Sequence, residues 1–164
     1  MNIDQIFQQI DAERTFGSRF PVRLIFVEQL GQYENLISRL TAVCDITINI
    51  SDYCSSDDVY PNFQKLRERI GQNKDKHILL LSMGEYLRLR IKRETQPEKA
   101  KFPSFWQDQQ DSLSRRRIFV PMFASKELFD RVIPLLDDRQ KDNIWELSVF
   151  HHEYKPLSIS VFSP

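Results

Sequence analysis

Three short apolar runs, Val22 to Val27, His77 to Leu81 and Ile118 to Val120, carry almost no polar interruption. A strand with one face in water alternates apolar and polar side chains; a strand covered on both faces does not need to. Such runs therefore require a central sheet buried between two layers. The segments between them repeat at three and four residues, as amphipathic helices do. Ile3, Ile6, Phe7 and Ile10 mark a helix over residues 2 to 13, and Tyr33, Leu36, Ile37, Leu40 and Val43 mark a second.

The rest of the chain fits the same alternation. Asp45 to Ile50 reads as a strand and the polar stretch Ser51 to Asp58 as a loop. Pro61 suits the first turn of a helix that buries Phe63, Leu66 and Ile70, with Gly71 as its stop. From Gly84 to Glu94, Leu87, Leu89 and Ile91 alternate with Arg88, Arg90 and Lys92 as a half-exposed strand would, but Met83, Leu87 and Ile91 also keep helical spacing, and a helix is preferred. Residues 95 to 102 read as a loop and 103 to 114 as a helix. Pro121 is expected to stop the strand that begins at Ile118. Ser125 can cap a helix bearing Leu128, Phe129, Val132 and Ile133, which Pro134 should bend or finish. Asn143 to Leu147 reads as a short helix and Leu157 to Phe162 as a closing strand.

This order predicts an α/β fold: a three-layer sandwich with a mostly parallel central sheet, Rossmann-like or degenerate nucleotidase-like. At 164 residues the chain has the length of one domain, and about 70% of its surface can be buried on folding. It reads either as a complete small protein or as the N-terminal domain of a longer one. No apolar run approaches the roughly 20 residues of a membrane span, and residues 1 to 4 (MNID) lack an export signal, so a cytoplasmic location is expected. Cys44 and Cys54 match no metal-binding spacing and read as reduced thiols, Cys44 in the core.

Glycine is scarce, and this excludes much chemistry. The chain has four, Gly17, Gly31, Gly71 and Gly84, none beside another. Loops that wrap phosphate need clustered glycines so that successive N–H groups can turn toward one anion. Walker and dinucleotide loops are both absent, and no cofactor is expected.

Ligands in open parallel sheets bind beyond the carboxyl ends of the strands. The residues there are Glu28, then Asp52, Asp57 and Asp58, then Ser82 and Glu85, then Ser125. Asp52, Ser82, Glu85 and Ser125 form the candidate strand-end pocket. A phosphoacceptor domain would carry an aspartate where Ser82 stands, and a nucleotidase would carry an acidic pair there. Strand, Ser82, Met83, Gly84 and helix resemble a nucleophile elbow, but Leu80 replaces its first glycine. The histidines are His77, His151 and His152. His77 precedes the strand that would present Ser82, and the other two read as surface residues. No catalytic or metal-binding residue is assigned.

Charge is unevenly spread. From Lys65 to Arg117 there are fourteen basic and seven acidic side chains, a net of +7, and the remainder carries nine basic and sixteen acidic, −7. Arg88, Arg90, Lys92 and Arg93 form one basic group, and Arg115, Arg116 and Arg117 another. Such groups attract phosphate backbones or an acidic protein face. They can equally pair with Glu85, Glu94, Glu98, Asp108 and Asp111 nearby.

Leu79 to Leu87 (LLLSMGEYL), Arg117 to Phe123 (RIFVPMF) and Leu128-Phe129-Asp130 resemble the N-terminal regions of bacterial phage-defence proteins of the PglZ type. Those proteins belong to the gene neighbourhoods called BREX and are similar to alkaline phosphatases in a later domain. The resemblance spans residues 20 to 147 and implies an accessory domain upstream of a metal-dependent one. The expectation from sequence is thus a non-catalytic docking or regulatory domain with a protein partner or downstream domain. The alternatives are a nucleic-acid-binding module using the two basic groups, and a small-ligand or phosphate-ester enzyme working at the strand ends.

Overall fold

The computed structural model describes residues 1–17, 22–53, 63–93, 117–136, 141 and 144–147. Within them the helices are α1 (Ile3–Phe16), α2 (Leu30–Val43), α3 (Phe63–Gln72), α4 (Met83–Arg93) and α5 (Lys126–Val132). The strands are β1 (Val22–Val27), β2 (Ile46–Asn49), β3 (Ile78–Leu81), β4 (Ile118–Phe123) and β5 (Ile144–Glu146). They form one sheet in the order β2-β3-β4-β1-β5, with every pair parallel. The expected α/β sandwich is the observed one. No helix among the described residues is long and apolar enough to cross a membrane.

The strand order dictates which face each helix covers. The chain leaves β1 for the far edge at β2, then returns through β3 and β4 and passes over β1 to β5. Crossovers between parallel strands are right-handed, so connections running in opposite directions lie on opposite faces. The core divides accordingly. Val22, Leu24, Phe26, Ile78, Leu80, Ile118, Val120 and Met122 point one way, against Leu66 and Ile70 of α3, Leu87 of α4 and Phe129 of α5. Ile25, Val27, Leu79, Phe119 and Trp145 point the other way, against Ile6 and Ile10 of α1 and Leu36 and Leu40 of α2. The solid apolar runs are the two-residue alternation of strands with both phases buried.

Local signals set most of the ends. Asn2 caps α1 through a reciprocal pair: its Oδ1 accepts from the Gln5 N–H, and its own N–H donates to Gln5 Oε1, both at 2.8 Å. Gly17, at φ 72°, ends that helix in a conformation other residues avoid. Ser125 caps α5, its hydroxyl accepting from the Leu128 N–H at 3.3 Å. Pro134 falls in the 3-10 turn Ile133–Leu135 that finishes the same helix.

Three expectations are corrected. Pro121 does not stop β4, which runs on to Phe123. The Ala124 N–H donates to Val27 O, and Arg117 O accepts from Ile78 N–H. Even-numbered residues of β4 therefore bond toward β1 and odd-numbered ones toward β3. Pairing with β3 ends at Phe119, so the N–H that Pro121 lacks would have had no acceptor there. The helix expected over Asn143 to Leu147 is not seen at Ile144 to Glu146, which pair with Leu24 to Phe26 as strand β5. Five residues are too few to distinguish the two periods, and Trp145 gains a stacking partner in Phe119, with ring centroids 6.5 Å apart. The expected helix over 103–114 and the strand over 157–162 lie outside the described residues, as do Asp57, Asp58, Cys54, His151 and His152. Cys44 is half-buried rather than in the core, and burial, reinforced by Asp45, pushes its thiol pKa up to about 12.

At the amino edge of the sheet His77 is held as a neutral ring. Its backbone N–H donates to Asp45 Oδ2 at 2.7 Å, and its Nδ1 accepts the Arg117 N–H at 3.1 Å. A protonated Nδ1 could not accept that bond. Burial lowers the His77 pKa, helped by the charge of Arg14 and, more weakly, of Arg117, against an opposing pull from Asp45. The unfolded chain takes up a proton below about pH 6.5, whereas the native imidazole resists until lower pH, so acidification favours unfolding across that interval. Urea midpoints measured from pH 7.5 to 5 should fall on the acid side and stay level above pH 7. His77→Gln should flatten the His77 part of that slope, and an unchanged slope would remove His77 as its source.

Candidate functional site

The strand order fixes where the sheet opens. β1 and β4 are neighbours, but β1 continues into α2 on one face and β4 into α5 on the other. The two outgoing loops part, leaving a crevice at the carboxyl edge, the position where open α/β sheets bind ligands. Its walls start at Glu28 and Gln29 after β1 and at Ala124 and Ser125 after β4.

Side chains from three helices converge there. Tyr33 of α2 lays its ring against Phe123, the last residue of β4, with centroids 5.8 Å apart. Phe123 is 38% exposed and Leu30, at the start of α2, 55%. Burial raises the Tyr33 pKa and the nearby Glu85 carboxylate raises it further, so the phenol stays a neutral donor. Arg88 of α4 reaches Phe123 O with its Nη2 at 3.4 Å. Gly84 packs α4 closely on β4: a Cβ built there would lie 3.4 Å from Phe123 O. Between α4 and α5 a half-open cleft of about 150 Å³ is lined by Arg88, Ser125, Glu127, Leu128 and Arg131.

Of the four strand-end residues, Ser125 lines this cleft. Glu85 stands on the same helix as Arg88, one turn before it. Asp52 lies exposed after β2, two strands away from β4 at the sheet's edge. Ser82 is the hinge between β3 and α4. At φ 70° it is the one non-glycine residue in the left-handed region among the described residues, and its carbonyl accepts the first helical bond, from Tyr86 N–H at 3.1 Å. That shape is elbow-like, but the parts that would activate a hydroxyl are not with it. His77 is at the opposite edge, and Leu80, where the motif has glycine, is fully buried in the core. No group of three or more metal-binding side chains occurs among the described residues. A serine at positive φ carries about 1 kcal/mol of strain that glycine lacks. Ser82→Gly should therefore raise the melting temperature by roughly 2–4 °C; a lowered one would show that the hydroxyl holds the turn.

The two basic groups fare differently. Arg117 is fully buried, and so is not a contact for nucleic acid. Its Nε donates to Glu13 Oε2 at 2.9 Å and its Nη2 to Glu13 O at 3.0 Å. Arg23 shares the other oxygen of the same carboxylate while its guanidinium lies 5.0 Å from the Trp145 ring centroid. A carboxylate between two guanidiniums fixes α1 to the sheet. The sequence carried a signal for this, since Glu13 continues the Ile3, Ile6, Ile10 stripe of α1 and so points inward. Arg115 and Arg116 lie outside the described residues. Arg88 is exposed on α4, whose backbone also carries Arg90, Lys92 and Arg93. Arg131 belonged to neither group, lying on α5 and far from Arg88 in sequence.

Comparisons with protein-family models, with curated proteins and with solved structures find no match to this chain.

Proposed function

We propose that this is a docking or regulatory α/β domain that engages its partner at the carboxyl edge of the sheet, around the β1/β4 crevice. The observation that carries the reading is the exposed Phe123 ring, backed by Tyr33 and bordered by Arg88 and the α4/α5 cleft. An aromatic at the centre of a patch, with arginine at its rim, is the composition of protein interfaces. The absence of any glycine-rich phosphate loop from the sequence and the lack of a base beside Ser82 among the described residues favour binding over turnover. A place in a bacterial phage-defence assembly rests on the resemblance of residues 79–87, 117–123 and 128–130 to PglZ-type proteins, and reading the neighbouring genes tests it.

The domain's role is tested with a photo-crosslinking residue placed at Leu30 and, as a control at the amino edge, at Asp75. One discrete adduct in the cells that make the protein is expected from Leu30 and not from Asp75, and Phe123→Ser should abolish it. Equal capture from both positions would sink the reading. So would ester or nucleotide hydrolysis that disappears on Ser82→Ala.

A further inference from the structure

Arg88 and Arg131 face one cleft from two different helices, with Glu127 also on its lining. Each has a carboxylate one turn away on its own helix, Glu85 and Glu127, yet neither arginine makes an ion pair among the described residues. Elsewhere the pairing is made: Lys126 reaches Asp130 at 3.2 Å on α5 itself, and Arg39 reaches Asp4 at 3.0 Å. Arg88 spends one donor on Phe123 O, which orients its fork and leaves other N–H groups available. Ser125 adds a hydroxyl at the rim, and buried Leu128 supplies an apolar floor.

We infer that the cleft seats an acidic peptide segment of a protein partner, with one carboxylate held between Arg88 and Arg131 and a neighbouring apolar side chain resting on Phe123. This rests on the docking reading and names the chemistry of its partner. Two planar guanidiniums suit a carboxylate, which each can grip through paired N–H donors. The volume of about 150 Å³ is that of a benzene-sized group, so it admits a side chain rather than a run of nucleotides. Glu85 and Glu127 are exposed on the same helices, and their charges oppose a continuous phosphate backbone. A peptide can place its single carboxylate between them.

The test uses the whole chain and a fluorescein-labelled nonapeptide of Ser and Gly around one central Glu-Phe pair, read by anisotropy at low and moderate salt. Saturable binding is expected, weakened at least tenfold by Arg88→Glu and by Arg131→Glu and several-fold by Phe123→Ser. Lys126→Glu, next to the cleft but outside its lining, should leave it within twofold. Circular dichroism of each variant confirms the fold. Absence of saturable binding to the peptide overturns the proposal, as does binding indifferent to both arginine changes. An oligothymidine nonamer that binds more tightly and is lost with the same substitutions also overturns it, in favour of nucleic acid. The two readings fail separately: if the Leu30 adduct survives Arg88→Glu and Arg131→Glu but is lost with Phe123→Ser, the docking surface stands and the acidic partner is wrong, whereas equal capture from Leu30 and Asp75 removes the docking surface itself.

Discussion

Arg117→Leu is expected to lower the stability of the domain by about 3 kcal/mol, shifting its thermal midpoint down by roughly 6–12 °C. The guanidinium is inaccessible to solvent and makes two bonds to Glu13, one to the carboxylate and one to the backbone carbonyl. Leucine would fill part of the volume but leave a carboxylate that is itself only 7% exposed with Arg23 as its remaining guanidinium. Removing one member of a buried pair is costly because the other stays buried. Glu13→Gln should be destabilising for the converse reason. The Glu13→Gln/Arg117→Leu double variant should be less destabilised than the two singles together, since each change removes the charge the other leaves stranded. Urea denaturation at pH 7 measures all three. Strict additivity, or an Arg117→Leu midpoint equal to wild type, would show that the network contributes nothing to the native state.

Leu80→Asp should abolish cooperative folding. Leu80 has no exposed surface and lies in the larger core cluster, in register with Ile48 of β2. An aspartate there would either hold a charge in a medium that cannot solvate it or take up a proton and still leave polar atoms unbonded. The loss is compounded by the missing leucine contacts, worth about 2–5 kcal/mol alone, against a total stability of about 5–15 kcal/mol for a domain. Far-ultraviolet circular dichroism should show no native-like signal and no thermal transition. Thr47→Asp, on the exposed side of β2, should cost under about 1 kcal/mol. A Leu80→Asp protein that melts like the wild type would mean that β3 is not the buried strand.

The strands were legible where both faces are covered, because burial on two sides leaves an uninterrupted apolar run in the sequence itself. β5 was not, since its three residues take their conformation from β1 rather than from any pattern of their own. Pro121 misled for a related reason: proline breaks a ladder only where a ladder exists, and the early end of β3 pairing is a property of the assembled sheet. The Arg115 to Arg117 group looked like one patch because sequence shows charge but not partner, and the carboxylate that buries Arg117 is 104 residues away. The carboxyl-edge rule pointed to Ser125, which lines the α4/α5 cleft, and to Glu85, which is not on that lining. It could not choose among strand ends, because the crevice depends on β1 and β4 lying side by side. Arg131 was out of reach for the same reason.

The place of β1 in the middle of the sheet has a consequence for the order in which the protein is made. The first strand to leave the ribosome is bordered on both sides by the last two to be synthesised among the described strands. β2 and β3 can pair as soon as they emerge, but the apolar flanks of β1 have no neighbour until residue 118 and beyond appear. Long loop closure of this kind slows folding and prolongs the exposure of sticky surface. A nascent chain halted before β4 would present the apolar side chains of β1 bare to solvent or to a chaperone.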